Sequence, residues 1–278
     1  LPMSTGIHVI TTGNSTLKYY RSLNKTFHQI FGKPMMLHYP YFQEEGEDLE
    51  QRQKNLTDYC LREAGNLAGK RVLEVGCGNG SHAAYIFERF KPSAIMGIDL
   101  NPENIKIANQ HFVQPGVVEF RVDNAEKLET IDGASMDIVI CIESAFHYPD
   151  KTAFLLQVQR VLRPGGIFVI ADIVNQLEDR TYMTPRWKRK MSYHHWTAKT
   201  YEIAFRFAGL HLVRQENITN RVIQGYNGHR QWVKREECRN WLSYSFYQLF
   251  THIQVQINLS LLKRKEHYWL FQGKRQEA

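Results

Sequence analysis

The apolar run Val72-Leu73-Glu74-Val75 leads straight into Gly76-Cys77-Gly78-Asn79-Gly80, and Ser81 and His82 follow. Glycines at this spacing let the backbone turn tightly and let a ligand lie against it with no Cβ in the way. Gly76, Cys77, Gly78 and Gly80 are therefore candidate cofactor contacts. Glu74, at the end of the run, suits either a ligand ammonium or a purely structural bond to backbone NH groups. About twenty residues further on, Gly97-Ile98-Asp99-Leu100 ends the next apolar run with an acid placed to accept from both hydroxyls of a ribose. An Asp there can also cap the following helix, but Asn101 is available for that purpose. A third segment, Val122-Asp123-Asn124-Ala125-Glu126, offers an acid that can receive an adenine amino group, or a simple turn. Such a glycine loop serves several nucleotide cofactors. Ser81, standing where a dinucleotide fingerprint has its last glycine, argues against a pyrophosphate.

Further along, two residues able to take up protons follow apolar runs. His147 lies in Cys141-Ile142-Glu143-Ser144-Ala145-Phe146-His147-Tyr148-Pro149-Asp150, a segment stopped by Pro149 and so expected to be a loop. Asp172 ends Ile170-Ala171-Asp172. Histidine titrates reversibly near neutrality, as a general base must. Each has an alternative role: His147 packed in its loop, Asp172 a cap or an orienting carboxylate. His194-His195-Trp196 lacks a third ligand nearby, so no metal is expected there. It suits a substrate pocket or a helix entry instead. Tyr39, Phe146, His195, Trp196 and Tyr226, with Phe31 and Trp232, are the candidate lining of an aromatic acceptor pocket.

These residues need elements to hold them. Short β-branched runs at Arg71–Val75, Ala94–Asp99, 117–122, Met136–Ile142 and 166–172 alternate with helix-like stretches. That alternation implies βαβ units and a parallel sheet covered on both faces. Residues 15–65 read as helical, 197–208 as a helix stopped by Gly209, and 211–218 and 267–273 as the last strands. Residues 229–264 carry both strand and helix periodicity, and their length without Gly or Pro favours helix. The expected organisation is an N-terminal helical lid over 1–60 and an α/β domain over 61–278, with a helical insertion at 219–265.

At 278 residues, 43% hydrophobic and 23% charged, the chain has the composition of a globular protein with a real core. Four separated cysteines, no zinc spacing and no signal-like stretch point to a reduced, cytoplasmic, metal-free protein. The charge is uneven: 14 Lys and Arg against 15 Asp and Glu up to residue 130, then 21 against 13. The excess includes Arg186-Trp187-Lys188-Arg189-Lys190. A basic face of this kind suits a nucleic acid, a membrane surface, an acidic substrate or simply solvation.

The three ligand segments, followed by Met136-Asp137-Ile138-Val139-Ile140 and Val161-Leu162-Arg163-Pro164-Gly165-Gly166, resemble the class I S-adenosylmethionine-dependent methyltransferases. The resemblance covers roughly residues 60–217 and rests on five motifs in the family's order. It implies a Rossmann-like seven-stranded, mostly parallel sheet with helices on both faces and the last strand antiparallel. It also implies S-adenosyl-L-methionine as cofactor. The glycine loop then holds the methionine end, Asp99 the ribose, and Asp123 and Asn124 the adenine, with Leu100, Ala125 and Ile142 beside them. The segment 143–150 resembles a subgroup that methylates natural products, sugars and lipids. Leu37-His38-Tyr39-Pro40-Tyr41-Phe42 resembles its N-terminal stretch, except that Pro40 replaces a glycine. In sugar O-methylating relatives the residues matching His147 and Asp172 deprotonate the acceptor.

The expectation is therefore O-methylation of a small-molecule hydroxyl, with C- or N-methylation as the alternative. The acceptor is expected to be hydrophobic or glycosylated, and the basic half leaves room for an acidic or phosphorylated one. A nucleic-acid substrate is disfavoured, because no Asn-Pro-Pro-aromatic or Asp-Pro-Pro-aromatic motif follows the fourth strand. A silent cofactor-binding scaffold is a further alternative, and the broad apolar stripe near the C-terminus allows a homodimer.

Overall fold

The computed structural model describes residues 14–177, 193–234, 236, 238 and 240–277. The basic run 186–190 lies outside them. The apolar runs form seven strands: β1 (Arg71–Val75), β2 (Ala94–Asp99), β3 (Val118–Val122), β4 (Met136–Ile142), β5 (Leu162–Asn175), β6 (Leu210–Asn217) and β7 (Glu266–Arg275). They pair in the order β3-β2-β1-β4-β5-β7-β6. Neighbours from β3 to β5 run parallel, and β7 runs antiparallel to both β5 and β6. This is the expected Rossmann-like sheet. β5 extends to Asn175 because Ile173, Val174 and Asn175 continue the ladder opposite Tyr268, His267 and Glu266.

Period-two patterning builds the two cores. On β4, Ile138, Ile140 and Ile142 join the cluster on one face, and Val139 and Cys141 the cluster on the other. Each fully buried side chain of this kind contributes roughly 1.5–3 kcal/mol. The first face is covered by α2 (Leu49–Leu61), α3 (Ser81–Phe90) and α4 (Pro102–His111), the second by α5 (Lys151–Val161) and α6 (Ala198–Phe207).

Local signals set the helix starts. The Asn101 side chain accepts from Glu103 N with Pro102 in the first turn, Asp150 accepts from Ala153 N, and Thr197 accepts from Thr200 N. Asn101, not Asp99, is the cap of α4. Between β6 and β7 come α7 (Thr219–Gly225) and the long α8 (Trp241–Arg264), opened by a reciprocal Asn240–Ser243 box. Length did decide for helix there, although its uninterrupted part starts only at Trp241. An N-terminal helix, α1 (Asn14–Phe31), packs near α8, where Tyr247 donates to Gln29 Oε1. Strand order reverses between β1 and β4, which opens a crevice at their carboxyl ends.

Candidate active site

The loops leaving β1, β2, β3 and β4 meet in that crevice. Glu74, Gly76, Cys77, Gly78, Asp99, Leu100, Asp123, Asn124, Ala125 and Ile142 all line one cavity there. The glycine loop needs its glycines for two different reasons. Gly76 has φ +77, and a Cβ on it would lie 1.9 Å from Ser144 Oγ, so the β4 loop rests directly on it. Gly80 does not line the cavity, contrary to expectation. A Cβ there would meet Ala108 Cβ at 2.6 Å and the Phe120 ring at 2.9 Å, so its glycine serves packing of α4 and β3.

Asp99 binds the loop to the next helix. Its Oδ2 accepts from Gly78 N, and its Oδ1 from Asn101 N and Asn104 Nδ2. Burial raises its pKa, and the NH donors oppose the rise. Asp123 is more committed. Its two oxygens accept from the backbone of Asn124, Glu129 and Thr130 and from Thr130 Oγ1. These four bonds fill the usual acceptor capacity of a carboxylate. The turn alternative therefore describes the Asp123 carboxylate in this structure.

Glu74 Oε1 is bonded to His82 Nδ1 at 2.6 Å, whose Nε2 lies 2.8 Å from Thr57 Oγ1. Glu74 Oε2 is buried without a protein hydrogen-bond partner. Beside this pair, burial and the neighbouring His82 lower the His38 pKa to about 3, so His38 is neutral at physiological pH. Among the described residues the cavity is lined by five carboxylates, Glu74, Asp99, Asp123, Glu126 and Glu143, and by no Lys or Arg. That charge balance fits S-adenosylmethionine, whose sulfonium and ammonium leave it cationic at neutral pH. It opposes a pyrophosphate cofactor.

Glu143 is the residue that sequence reasoning passed over. It has φ +53, a left-handed conformation uncommon for a non-glycine residue and typical of functional sites. Its Oε1 accepts from Tyr39 N and from Tyr268 OH. Burial raises its pKa to about 8, against the pull of those two donors. The signal was its place immediately after β4, but nothing local announces the backbone twist.

The next turn, Ala145–His147, presents His147. Its Nε2 lies 2.8 Å from Tyr20 OH, and its ring packs against Phe146 and Tyr193. Asp172 does not reach either cavity; it is fully buried behind this turn. Its Oδ1 accepts from Phe146 N at 3.1 Å, and its Oδ2 from Tyr201 OH at 2.6 Å. Lys151, also fully buried, donates to Tyr148 O and His194 O. Burial raises the Asp172 pKa to about 6, and the Lys151 charge opposes that rise. Contrary to the expected catalytic placement, both Asp172 oxygens are engaged here by Phe146 N and Tyr201 OH, holding one end of the turn as Lys151 holds the other.

A second cavity adjoins the first, and Tyr20, Leu37, His38 and Glu143 line both. It encloses about 1440 Å³ of empty space, its open mouth included. Tyr39, Phe146, His195 and Tyr226 line it, with Phe31 and Trp232. Trp196 does not. It packs on Tyr201 and under the Lys151 ammonium, within the second core. α1, the 36–40 loop and α8 supply much of the remaining wall, and Gly225 packs so tightly on Pro40 that a Cβ would lie 2.5 Å from Pro40 O.

A family profile described as a methyltransferase domain matches residues 66–231. A Mycobacterium leprae protein described as a phthiotriol/phenolphthiotriol dimycocerosates methyltransferase is 45% identical over 108 residues, which is 39% of each chain. A fatty-acid O-methyltransferase of Mycolicibacterium smegmatis is 38% identical over 127 residues, 46% of this chain and 44% of that one. The matches thus span about two fifths of these curated relatives. The solved structure of a putative sarcosine dimethylglycine methyltransferase from Galdieria sulphuraria shares the fold at 16% identity. Its TM-score is 0.75, over 95% of this chain and 99% of that one. Sheet order, an anionic crevice at the β1/β4 switch point and the profile match agree: the chain belongs to the class I S-adenosylmethionine-dependent methyltransferases.

Proposed function

We propose that the protein methylates a hydroxyl of an apolar, lipid- or polyketide-like small molecule. The observation that carries this reading is the second cavity, aromatic and aliphatic over most of its wall and joined to the cofactor cavity at Glu143. Bound S-adenosylmethionine supplies an activated methyl group on a sulfonium, leaving the protein to align the acceptor, exclude water and accept a proton. Glu74 and the glycine loop are the residues we assign to its methionine end, Asp99 to its ribose, and the Asp123–Ala125 turn to its adenine. The names of the mycobacterial relatives, one of them an O-methyltransferase, support an oxygen acceptor of lipid type.

His147 is our candidate general base. With Tyr20 against its Nε2, a proton leaves the acceptor either directly to the ring, after Tyr20 gives way, or through the Tyr20 hydroxyl. A second reading makes Glu143 the proton acceptor, because it faces both cavities and titrates near neutrality. The described lining of the acceptor cavity contains Glu143 and Glu266 but no Lys or Arg, which favours a neutral hydroxyl over a carboxylate or phosphate acceptor. In this reading α1 and the 36–40 loop act as a lid and 219–265 as a wall of the α/β domain over 61–278, whereas α2 belongs to the cover of the sheet.

The test is single-turnover methylation of long-chain alcohols, phenols and matching carboxylic acids. Alcohol or phenol turnover that falls about 10²–10⁴-fold in His147→Ala, with cofactor affinity unchanged, is the expected result. Equal loss in Glu143→Gln with His147→Ala nearly active moves the base to Glu143. Turnover of the acids alone refutes the hydroxyl reading.

A further inference from the structure

Helix α8 has two apolar faces. One meets the protein: Val255 and Leu262 are buried, and Phe250, Gln254, Asn258 and Leu261 line the acceptor cavity. The other carries Leu242, Phe246, Leu249, Ile253 and Ile257, exposed by 73, 61, 59, 49 and 49%. At 100° per residue these five fall within one narrow stripe, running about 22 Å along the axis. Trp241, 65% exposed, stands at its start. No Asp, Glu, Lys or Arg occurs between Asn240 and Lys263. Lys263, Arg264 and Lys265 then follow in succession, all exposed.

An exposed apolar stripe this continuous marks an interaction surface. We propose that the stripe docks α8 onto an anionic lipid bilayer, lying in its interface with the Lys263–Lys265 cluster against the headgroups. Three observations select the bilayer over a second copy of the chain. Parallel docking of two stripes sets the Lys263–Lys265 clusters against each other. Antiparallel docking sets each against the N-terminal end of the partner helix, where the backbone dipole is positive and the first turn carries no acidic residue. An anionic surface has no such conflict. Moreover, Ile257 belongs to the stripe and also lines the acceptor cavity, so the cavity wall reaches the edge of the docked face. No described helix is long and apolar enough to cross a membrane, so α8 lies on the bilayer rather than through it.

The docking does not depend on the acceptor proposed above, and vesicle binding is measured apart from turnover. The experiment is co-sedimentation of the whole protein with phosphatidylcholine vesicles, with and without phosphatidylglycerol. Alongside it, analytical ultracentrifugation without lipid reports the oligomeric state. Binding to the phosphatidylglycerol vesicles is expected. It should weaken at least tenfold in the Phe246→Glu/Ile253→Glu double variant, and severalfold in Lys263→Gln/Arg264→Gln or in 0.5 M salt (about a 4 Å screening length). Melting temperature and S-adenosylhomocysteine affinity should stay unchanged, since these side chains line neither cavity. Absence of vesicle binding overturns the proposal. So does a lipid-free dimer that Phe246→Glu/Ile253→Glu dissociates, and so does vesicle binding that the double variant leaves intact.

Discussion

Binding of S-adenosylmethionine is expected to expel a proton from Glu143. In the free protein burial holds this carboxyl at a pKa of about 8, so at pH 7 roughly nine molecules in ten carry the proton. A cation entering a cavity lined, among the described residues, by five carboxylates and no Lys or Arg favours the ionised form. About 0.9 proton should therefore leave per molecule bound at pH 7, and affinity should rise roughly 50- to 100-fold between pH 6 and pH 9. Calorimetry in buffers of different ionisation enthalpy counts the protons, and titrations across pH give the affinity profile. S-adenosylhomocysteine, which lacks the sulfonium charge, should release fewer protons and show a flatter profile. Glu143→Gln, able to keep accepting from Tyr39 N, should abolish the release. The stability sign is the reverse of the usual carboxylate case. Because the folded pKa is raised from 4.5 to about 8, the free wild type loses stability relative to Glu143→Gln as pH rises from about 4.5 to about 8. Equal proton release by wild type and Glu143→Gln, or a flat wild-type affinity from pH 6 to 9, would refute the assignment of Glu143 to the face that meets the cofactor's charge.

Asp172→Ala should destabilise the fold by about 3–5 kcal/mol in denaturant titration, because it strands the buried Lys151 charge and the Phe146 N–H. Lost turnover at unchanged stability would instead give Asp172 a direct role. Gly76→Ala should abolish measurable S-adenosylhomocysteine binding, since a Cβ at φ +77 lands on Ser144; binding within twofold of wild type would contradict that geometry. Asp99→Ala should weaken the same ligand about 10- to 100-fold, the value of one or two bonds to a charged group. An unchanged dissociation constant would remove Asp99 from the site.

The amino-acid sequence by itself determined the alternation of strands and helices, the glycine loop, and the strand-end acids Asp99 and Asp123. Each of these depends on local backbone requirements: a tight turn, a period of two, an N-cap such as Asn101. Periodicity alone left 229–264 divided between helix and strand. Only its length without Gly or Pro tipped the reading, and packing of Val255 and Leu262 against the sheet decided it. Tertiary structure alone decided what each acid faces. Asp172 looks like a base in sequence, yet Tyr201, from the helix after β5, and the Phe146 backbone consume its oxygens. Glu143 looks like a loop residue, yet Tyr39 and Tyr268, over a hundred residues away on either side, bring it to the junction of two cavities. Gly80 and Trp196 fit the motifs in sequence but turned inward, because Ala108, Phe120 and Tyr201 come from elements that sequence cannot place beside them. The charge a buried carboxylate carries depends on the groups around it, and those groups are assembled by contacts between residues far apart in the chain.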